Sequence, residues 1–311
     1  MLNGAVAVLP SLPASVPISR PMKKSLALAL LLAICPAIHA ALTQDIEYAN
    51  VGGVSLRLDA FVPDGPGPFP AVIMVHGGGW NSGDKSGGRT KGYMAPMDDS
   101  LSRAGFVWFE INYRLTPKFL YPACIDDVET AIRWVKAHAA EYHLDPSRIA
   151  LAGESSGGHL VDLAAARADK STRVAAVVSF YGAYDLVYQA KAKPADANVR
   201  GLFGISVVDE KTIPLLQAAS ASAYLKPGLP PFLLVHGDLD PKVPYDEDVA
   251  FRTKLLALGV PCEFITIHGG GHGMNTWDKV APGYKDEVVA WLQKTMPPHP
   301  WRYRLHKLLG I

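Results

Sequence analysis

Residues 153–160 read GESSGGHL and join the apolar run RIALA to the small-residue run VDLAAARA. Ser155 therefore stands where a predicted strand turns into a predicted helix, between Gly153 and Gly157. Taken alone, this stretch fits a nucleophile on a strained turn, an ordinary glycine-rich connection, or an anion-binding loop at a helix start. The pattern GxSxG between a strand and a helix favours the nucleophile, provided that the rest of the chain supplies its partners.

Apolar runs alternate with helical periodicity on both sides of this stretch. The predicted strands are AVIMVHG, FVWFEINY, RIALAGE, VAAVVSFYG, FLLVHGD and CEFITIHG, and the predicted helices are 126–141, 156–167, 244–258 and 285–294. Before them, residues 46–62 alternate apolar and polar side chains around Gly52 and Gly53, which is typical of an antiparallel edge hairpin. The fold class is therefore α/β, with a mostly parallel central sheet and helices on both faces.

The composition excludes several classes of protein. The chain has 311 residues, of which 49% are hydrophobic, and this suits one large domain, predicted over 41–296. Its net charge of +1 provides no field that would attract nucleic acid. Between 186 and 223 the periodicity breaks at prolines and glycines, so we predict an insertion over the sheet, a candidate lid.

Both ends of the chain are set apart from this domain. Residues 22–40 have two lysines, a short apolar run and small residues before Ala40, which is the layout of a secretory signal peptide. The apolar run is too short to span a bilayer, so we expect a secreted or periplasmic protein without stable membrane insertion. Residues 1–21 are interpreted as a misassigned extension, and 297–311 as a proline-bounded basic tail. Cys124 and Cys262 then remain, as one disulfide or as two free thiols.

A serine nucleophile needs N–H groups that receive the charge of the carbonyl oxygen, and residues 76–80, HGGGW, supply a candidate loop. This loop follows a predicted strand, and its glycines leave the backbone free to point N–H groups at a reacting oxygen. The N–H groups of Gly78 and Gly79, with that of Ser156, would form the oxyanion hole. We expect His76 to brace the loop rather than to titrate.

The nucleophile also needs a base and an acid that orients the base. His272 follows the last predicted strand within HGGGHGM, and the remaining histidines have no comparable setting. In HGDLDPKVP both Asp238 and Asp240 are candidate acids; whichever is not the acid would cap the local turn. The chain order serine, aspartate, histidine is that of α/β-hydrolases.

HGGGW, GESSGGHL, HGDLDPKVP and GGGHGM, in this order, resemble the α/β-hydrolase carboxylesterases, especially the branch of bacterial acetyl-xylan and feruloyl esterases. The resemblance covers roughly 46–295. It implies the α/β-hydrolase fold, with the acid two residues beyond HGD on Asp240 and the base on His272. The same branch shades into lipases, kynurenine formamidases and peptidases, so the resemblance fixes the chemistry more firmly than the substrate.

We therefore expect a secreted serine carboxylesterase with the catalytic residues Ser155, Asp240 and His272, which needs no cofactor and no metal. Its substrate would be a small-molecule or polymer-borne ester, such as an acetyl or feruloyl ester of plant polysaccharide. The alternatives are an amide hydrolase or a lipase on the same scaffold, and a non-catalytic binding module. A binding module would need none of the three residues.

Overall fold

A single mixed sheet organises the chain in the computed structural model, which describes residues 40–86, 94–194 and 196–298. The spatial strand order is β1-β2-β4-β3-β5-β6-β7-β8. Pairing is antiparallel from β1 to β2 and from β2 to β4, and parallel across the rest of the sheet. The strands are β1 Ala41–Val51, β2 Val54–Val62, β3 Phe69–Val75, β4 Val107–Ile111, β5 Leu144–Glu154, β6 Ala176–Phe180, β7 Phe232–Gly237 and β8 Cys262–Ile267.

Helices cover both faces of this sheet. The α-helices are α1 Ala95–Arg103, α2 Ala123–Ala137, α3 Ser156–Arg167, α4 Leu186–Ala192, α5 Ala197–Phe203, α6 Ile213–Ala218, α7 Tyr245–Ala257 and α8 Tyr284–Thr295. Two short 3₁₀ helices span Ala221–Tyr224 and Met274–Lys279. Apolar side chains of α2, α3 and α7 share one core cluster, and those of α1 and α8 share the other. The predicted fold class, a mostly parallel sheet between two helical layers with an antiparallel N-terminal hairpin, is confirmed.

The central strands read as continuous apolar runs because both of their faces are buried. In β3, Ile73 belongs to one core cluster, whereas its neighbours Val72 and Met74 belong to the other. Successive side chains of a strand point to opposite faces, so an unbroken apolar run fills both layers. The carboxyl ends of β3, β5, β7 and β8 consequently meet at one edge of the sheet.

The structure refines several of the predicted boundaries. Helix α2 begins at Ala123, three residues before the predicted start, and α1 was not predicted. The region 186–223 contains α4, α5 and α6, each of only six or seven residues, and part of its apolar side chains joins the core. Helices this short cannot establish a 3.6-residue period, which explains the broken pattern. Its role as a lid stays a prediction.

Two further predictions concern the cysteines and the chain ends. Cys124 and Cys262 are both buried, and they are two free thiols rather than one disulfide. The predicted signal peptide, apart from Ala40, and residues 299–311 of the predicted tail lie outside the described residues. Within the described ranges, no helix has both the length and the apolarity needed to cross a bilayer.

Candidate active site

Ser155 lies on a strained turn between β5 and α3. Its backbone has φ 54° and ψ −120°, a left-handed conformation that few non-glycine residues adopt. The serine occupies the N-cap position of α3, yet its side chain makes no capping hydrogen bond. A Cβ atom on Gly157 would collide with the backbone carbonyl of Val75, so glycine at this position lets α3 approach β3 closely. The turn therefore presents the Ser155 hydroxyl at the edge of the sheet.

His272 and Asp240 extend from this hydroxyl in a hydrogen-bonded line. The distance from His272 Nε2 to Ser155 Oγ is 3.0 Å, and that from His272 Nδ1 to Asp240 Oδ2 is 2.7 Å. Asp240 follows β7 and His272 follows β8, and the Leu239 N–H donates to the Gly270 carbonyl at 2.9 Å, which ties the two loops together. The structure thus brings together the three side chains that the sequence singled out, in the geometry of a nucleophile, a base and an orienting acid.

Asp240 is held in its ionised form. Burial alone would raise the pKa of this carboxyl, but hydrogen bonds from His236 and His272 lower it well below its ordinary value. The backbone N–H groups of Lys242 and Val243 donate to its second oxygen at 2.7 and 3.0 Å. A carboxylate with these donors keeps both its charge and its orientation.

Asp238 has a different role from the local turn cap expected of it. Its side chain accepts a hydrogen bond from the Gly269 N–H at 2.7 Å and pairs with His268 at 2.9 Å. Both partners belong to the loop that carries His272, so Asp238 braces that loop across the gap between β7 and β8.

The carbonyl groups of the HGGGW loop have partners within or next to the loop, and these partners fix the direction of its N–H groups. The Gly78 carbonyl accepts from the N–H groups of Asn81 and Ser82 at 3.2 and 3.1 Å, and the Gly77 carbonyl lies 2.7 Å from His76 Nδ1. In a trans peptide the N–H points opposite to the carbonyl, so the N–H groups of Gly78 and Gly79 face away from these partners.

Both glycines line the cleft that contains Ser155. Ser156, at the first position of α3, lines the same cleft, and its N–H is one of the free donors at a helix start. His76 is buried, and burial lowers its pKa, which agrees with a bracing role.

Glu154 is a site residue that the sequence reasoning missed. It accepts a hydrogen bond from the Gly77 N–H at 2.5 Å and so anchors the base of the HGGGW loop. Burial raises its pKa to about 7, despite the Gly77 hydrogen bond. Its place within GESSG could have drawn attention to it, but its partner lies 77 residues away and only the fold reveals it.

His236 is the second missed residue, and it was set aside with the other histidines. Its Nε2 lies 3.1 Å from Asp240 Oδ2, and its Nδ1 lies 2.8 Å from Asp248 Oδ2. The side chains of all three residues are fully buried. His236 thus joins the line of residues behind Asp240.

An aromatic platform holds His272 in place. The Tyr181 ring packs against the imidazole, with ring centroids 4.6 Å apart, and Trp277 packs edge-on against Tyr181 at 5.2 Å. The Trp277 indole N–H donates to the Gly271 carbonyl at 2.9 Å, which fixes the loop one residue before His272. The base is therefore oriented by packing as well as by Asp240.

Ser155 and His272 open onto a cleft of about 620 Å³, and Asp240 lies buried behind them. Much of its lining is polar, and α4, α5 and the residues around them supply part of one wall. The Asn81 amide donates to the Asn198 side-chain carbonyl at 2.9 Å, so the HGGGW loop and α5 are in contact. The polar lining residues away from Ser155 are Asn81, Ser82, Asp84, Ser86, Gln189, Asp196, Asn198 and Lys242.

In the ranges that the structure describes, no group of three or more His, Cys, Asp or Glu side chains is arranged to hold a metal ion. The hydrogen bonds from Ser155 to His272 and from His272 to Asp240 form a line along which a proton can pass from the serine to the imidazole.

Comparison with known proteins places the chain in a family. The BD-FAE family matches residues 58–255, which include Ser155, Asp240 and the HGGGW loop. The chain belongs to the BD-FAE family. This confirms the resemblance to α/β-hydrolase carboxylesterases that the motifs indicated.

Individual relatives agree with the family assignment. The probable carboxylic ester hydrolase LipM of Mycobacterium tuberculosis is 34% identical over 227 residues, which cover 68% of this chain and 51% of LipM. Esterase LipQ of the same organism is also 34% identical, over 71% of this chain and 54% of its own length. This BD-FAE chain thus spans about half the length of these curated relatives.

Solved structures share the fold. A truncated carbohydrate esterase from gut microbiota superposes with a TM-score of 0.73 at 24% identity, over 83% of this chain and 97% of that chain. A bifunctional GH43-CE from Bacteroides eggerthii gives a TM-score of 0.71 at 28% identity, over 82% of this chain and 38% of that chain. The BD-FAE domain described here therefore has the α/β-hydrolase fold.

Proposed function

We propose that this protein is a serine carboxylesterase that uses Ser155 as its nucleophile. The observation that carries the proposal is the line of hydrogen bonds from Ser155 Oγ through His272 to Asp240. Its Ser155 end lies in a cleft that Gly78, Gly79 and Ser156 also line. The family and its carboxylic ester hydrolase relatives support the same class of reaction.

In the first half of the reaction, Ser155 Oγ attacks the ester carbonyl carbon while its proton passes to His272 Nε2. The electron pair of the carbonyl moves onto its oxygen, where the N–H groups of Gly78, Gly79 and Ser156 stabilise the negative charge. Asp240 stabilises the His272 imidazolium. Collapse of the intermediate breaks the bond to the alcohol oxygen, which takes the proton from His272 and leaves an acyl-enzyme.

Water completes the cycle on the same residues. His272 removes a proton from a water molecule as its oxygen attacks the acyl carbon, and the oxyanion forms again in the same place. When the intermediate collapses, Ser155 Oγ recovers its proton from His272 and the carboxylic acid leaves. The two half-reactions together consume one ester and one water.

The cleft supports an ester of a hydroxyl-rich alcohol, such as an acetyl or feruloyl ester of polysaccharide. Amide and carboxylate side chains of Asn81, Gln189, Asp196 and Asn198 line it beyond the nucleophile. Such groups hydrogen-bond with hydroxyls, whereas a lipase cleft needs a broad apolar surface for an acyl chain. The export predicted from residues 22–40 would place the enzyme where such polymers occur.

Covalent labelling tests the nucleophile. A fluorophosphonate probe should label Ser155 of the wild-type protein, and Ser155→Ala should lose both labelling and ester turnover. Ser156→Ala is the matched control, because alanine keeps the backbone donor, and it should retain substantial activity. A label mapped to Ser156, or full esterase activity in Ser155→Ala, would refute the assignment.

A substrate panel tests the reaction class. Acetyl, butyryl, octanoyl and feruloyl esters, acetylated xylan and matched anilides should be compared by kcat/KM on the purified protein. We expect esters to exceed anilides, and short or aromatic acyl groups on sugar alcohols to exceed octanoyl esters. Preference for anilides would indicate an amide hydrolase, and no turnover at all would indicate a binding module.

Export has its own test. Protein recovered from the culture medium or periplasm should begin near Ala41 on N-terminal sequencing. An intact chain beginning at Met1 in the cytoplasm would contradict the proposal of export and leave the esterase proposal untouched.

A further inference from the structure

A second histidine lies behind the orienting acid of the site. Asp240 Oδ2 accepts hydrogen bonds from His272 Nδ1 at 2.7 Å and from His236 Nε2 at 3.1 Å. The other ring nitrogen of His236 faces Asp248 Oδ2 at 2.8 Å. The reaction described above uses neither His236 nor Asp248.

The protonation of His236 follows from its partners. A neutral imidazole carries one N–H, whereas a carboxylate oxygen accepts hydrogen bonds and has none to give. His236 has a carboxyl group at each ring nitrogen, and when both carboxyls are ionised the two hydrogen bonds require a ring that carries two protons. Burial raises the pKa of Asp248, and the charge and hydrogen bond of His236 oppose that rise. The side chains of His236, Asp240 and Asp248 are fully buried. A positive charge on the ring between two buried carboxylates stabilises both of their negative charges.

We propose that His236 is a permanently charged imidazolium that positions Asp240 and moderates the negative charge that Asp240 presents to His272. Asp248 holds the far side of the His236 ring and provides the second negative charge. The inference about turnover rests on the proposed esterase function, whereas the inference about the charge of His236 stands on the geometry alone.

The groups packed around His236 favour this charge. Burial lowers its pKa, but the charge of Asp248 and the hydrogen bonds to both carboxylates outweigh burial and raise the pKa to about 10. On α7, burial raises the pKa of Glu247, and the charge of His236 opposes that rise. Tyr245, also on α7, packs against the His236 ring with centroids 5.7 Å apart. From β6 and α3, Tyr181 lies 6.4 Å from the ring and Asp162 faces Asp248. Burial raises the pKa of Asp162 as well, so the negative charge that His236 meets comes from its two hydrogen-bond partners, Asp240 and Asp248.

The positive charge of His236 acts on His272 through Asp240. A positive charge behind Asp240 offsets part of the attraction between Asp240 and the His272 imidazolium. His272 must be neutral to accept the Ser155 proton, and the acid limb of the kcat/KM profile reports this requirement. An enzyme with a charged His236 should therefore stay active at lower pH than one that has only Ser155, His272 and Asp240 in this line.

Replacement of His236 by an uncharged donor tests this role. His236→Gln can still donate to Asp240 but has no charge, so the acid limb of kcat/KM should move to higher pH by on the order of one pH unit. His268→Gln is the matched control. It removes a histidine from another His–Asp pair, which lies in the loops after β7 and β8 and has a ring that is 85% exposed. We expect its acid limb to stay in place. A His236→Gln enzyme with reduced kcat and an unmoved acid limb would overturn the proposed electrostatic role.

Neutron diffraction from wild-type crystals at pH 8 provides a test that needs no variant and no activity. We expect deuterium on both ring nitrogens of His236. Deuterium on one nitrogen only, with the second proton on Asp248 or absent, would overturn the proposal even if the protein is a fully active esterase. An inactive wild-type protein with a doubly protonated His236 would instead refute the esterase function and leave the charged residue standing.

Discussion

At the scale of single residues, Asp240 is the side chain on which the site converges. Its oxygens accept four hydrogen bonds, from His272, His236 and the backbone N–H groups of Lys242 and Val243. An ionised carboxyl has about four lone-pair positions, so the acceptor capacity of Asp240 is filled. This leaves the carboxylate one orientation, the one that faces His272.

Substitution of Asp240 should therefore reduce turnover strongly. Asp240→Asn should lower kcat by about 10⁴-fold, because an amide in this position favours the wrong tautomer of His272. The measurement is steady-state turnover of an acetyl ester. Asp238→Asn serves as the comparison: it removes the exposed pair with His268, and its activity should stay within about tenfold of wild type. The reverse order of severity would make Asp238 the acid.

Glu154 should make stability depend on pH. Its pKa is about 7 in the folded protein against an ordinary value of 4.5, so the folded state keeps the proton that the unfolded chain has released. Stability should consequently fall as pH rises through this window, by about 2.5 kcal/mol between pH 5 and pH 8. Glu154→Gln has no proton to lose and keeps an acceptor for the Gly77 N–H. Its stability relative to wild type, measured by urea unfolding, should therefore rise by that amount between the two pH values.

An exposed glutamate provides the control for this measurement. Glu141→Gln lies on the surface and should show nearly the same difference from wild type at both pH values. A Glu154→Gln variant whose relative stability does not change with pH would show that Glu154 ionises normally in the folded protein.

The site residues that could be predicted from the sequence are those that belong to a local motif. Ser155 is marked by flanking glycines, and Gly78 and Gly79 by their run of three. His236 and Glu154 have no such mark, because their significance comes from partners on other strands. Asp238 was misjudged for the same reason, since the loop it braces lies 31 residues further along the chain.

At the scale of elements, a buried histidine joins three parts of the site. The Trp80 indole, at the end of the HGGGW loop, donates to His159 Nδ1 at 3.1 Å, and His159 Nε2 lies 2.7 Å from the Ala219 carbonyl. Burial lowers the pKa of His159 to about 4, so its ring stays neutral and its two hydrogen bonds persist across the physiological pH range. The HGGGW loop, α3 and the segment after α6 are thereby held as one unit.

Two helical glycines should respond oppositely to alanine. Gly157→Ala would drive a methyl group into the Val75 carbonyl, push α3 away from β3, and cost about 2 kcal/mol or more of stability together with most of the activity. Gly201→Ala, in α5, meets no atom within 4 Å and should gain up to about 1 kcal/mol from higher helix propensity. Thermal unfolding of both variants checks the pair. Equal effects would mean that α3 can shift without strain.

The predictability of an element depended on its burial pattern and length. β3 and β7 are recognisable from sequence because both faces are buried and the run is unbroken. Helix α1 escaped notice because polar residues fill much of its short sequence APMDDSLSR. The helices of 186–223 escaped because each makes fewer than two full turns.

At the scale of the whole molecule, the core holds the fold of the part of the chain that the structure describes, where no disulfide is present. Cys124 lies at the start of α2 and Cys262 at the start of β8, and both thiols are free and buried. Burial raises the pKa of each thiol to about 12, which leaves almost no reactive thiolate at neutral pH.

Thiol labelling measures the reactivity of the two cysteines directly. Iodoacetamide should leave the Cys124 and Cys262 peptides unmodified in the native protein and modify both in urea, as read by peptide mass spectrometry. A reducing agent should not change the melting temperature. A melting temperature that falls on reduction would reveal a disulfide that the structure does not contain.

The segment 186–223 leaves the sheet after β6 and returns before β7, whereas Ser155, Asp240 and His272 follow β5, β7 and β8. The three candidate reacting groups and this part of the cleft wall therefore come from different stretches of the sequence. Mutation, insertion or recombination within the segment can remodel the cleft wall while the reacting groups keep their spacing.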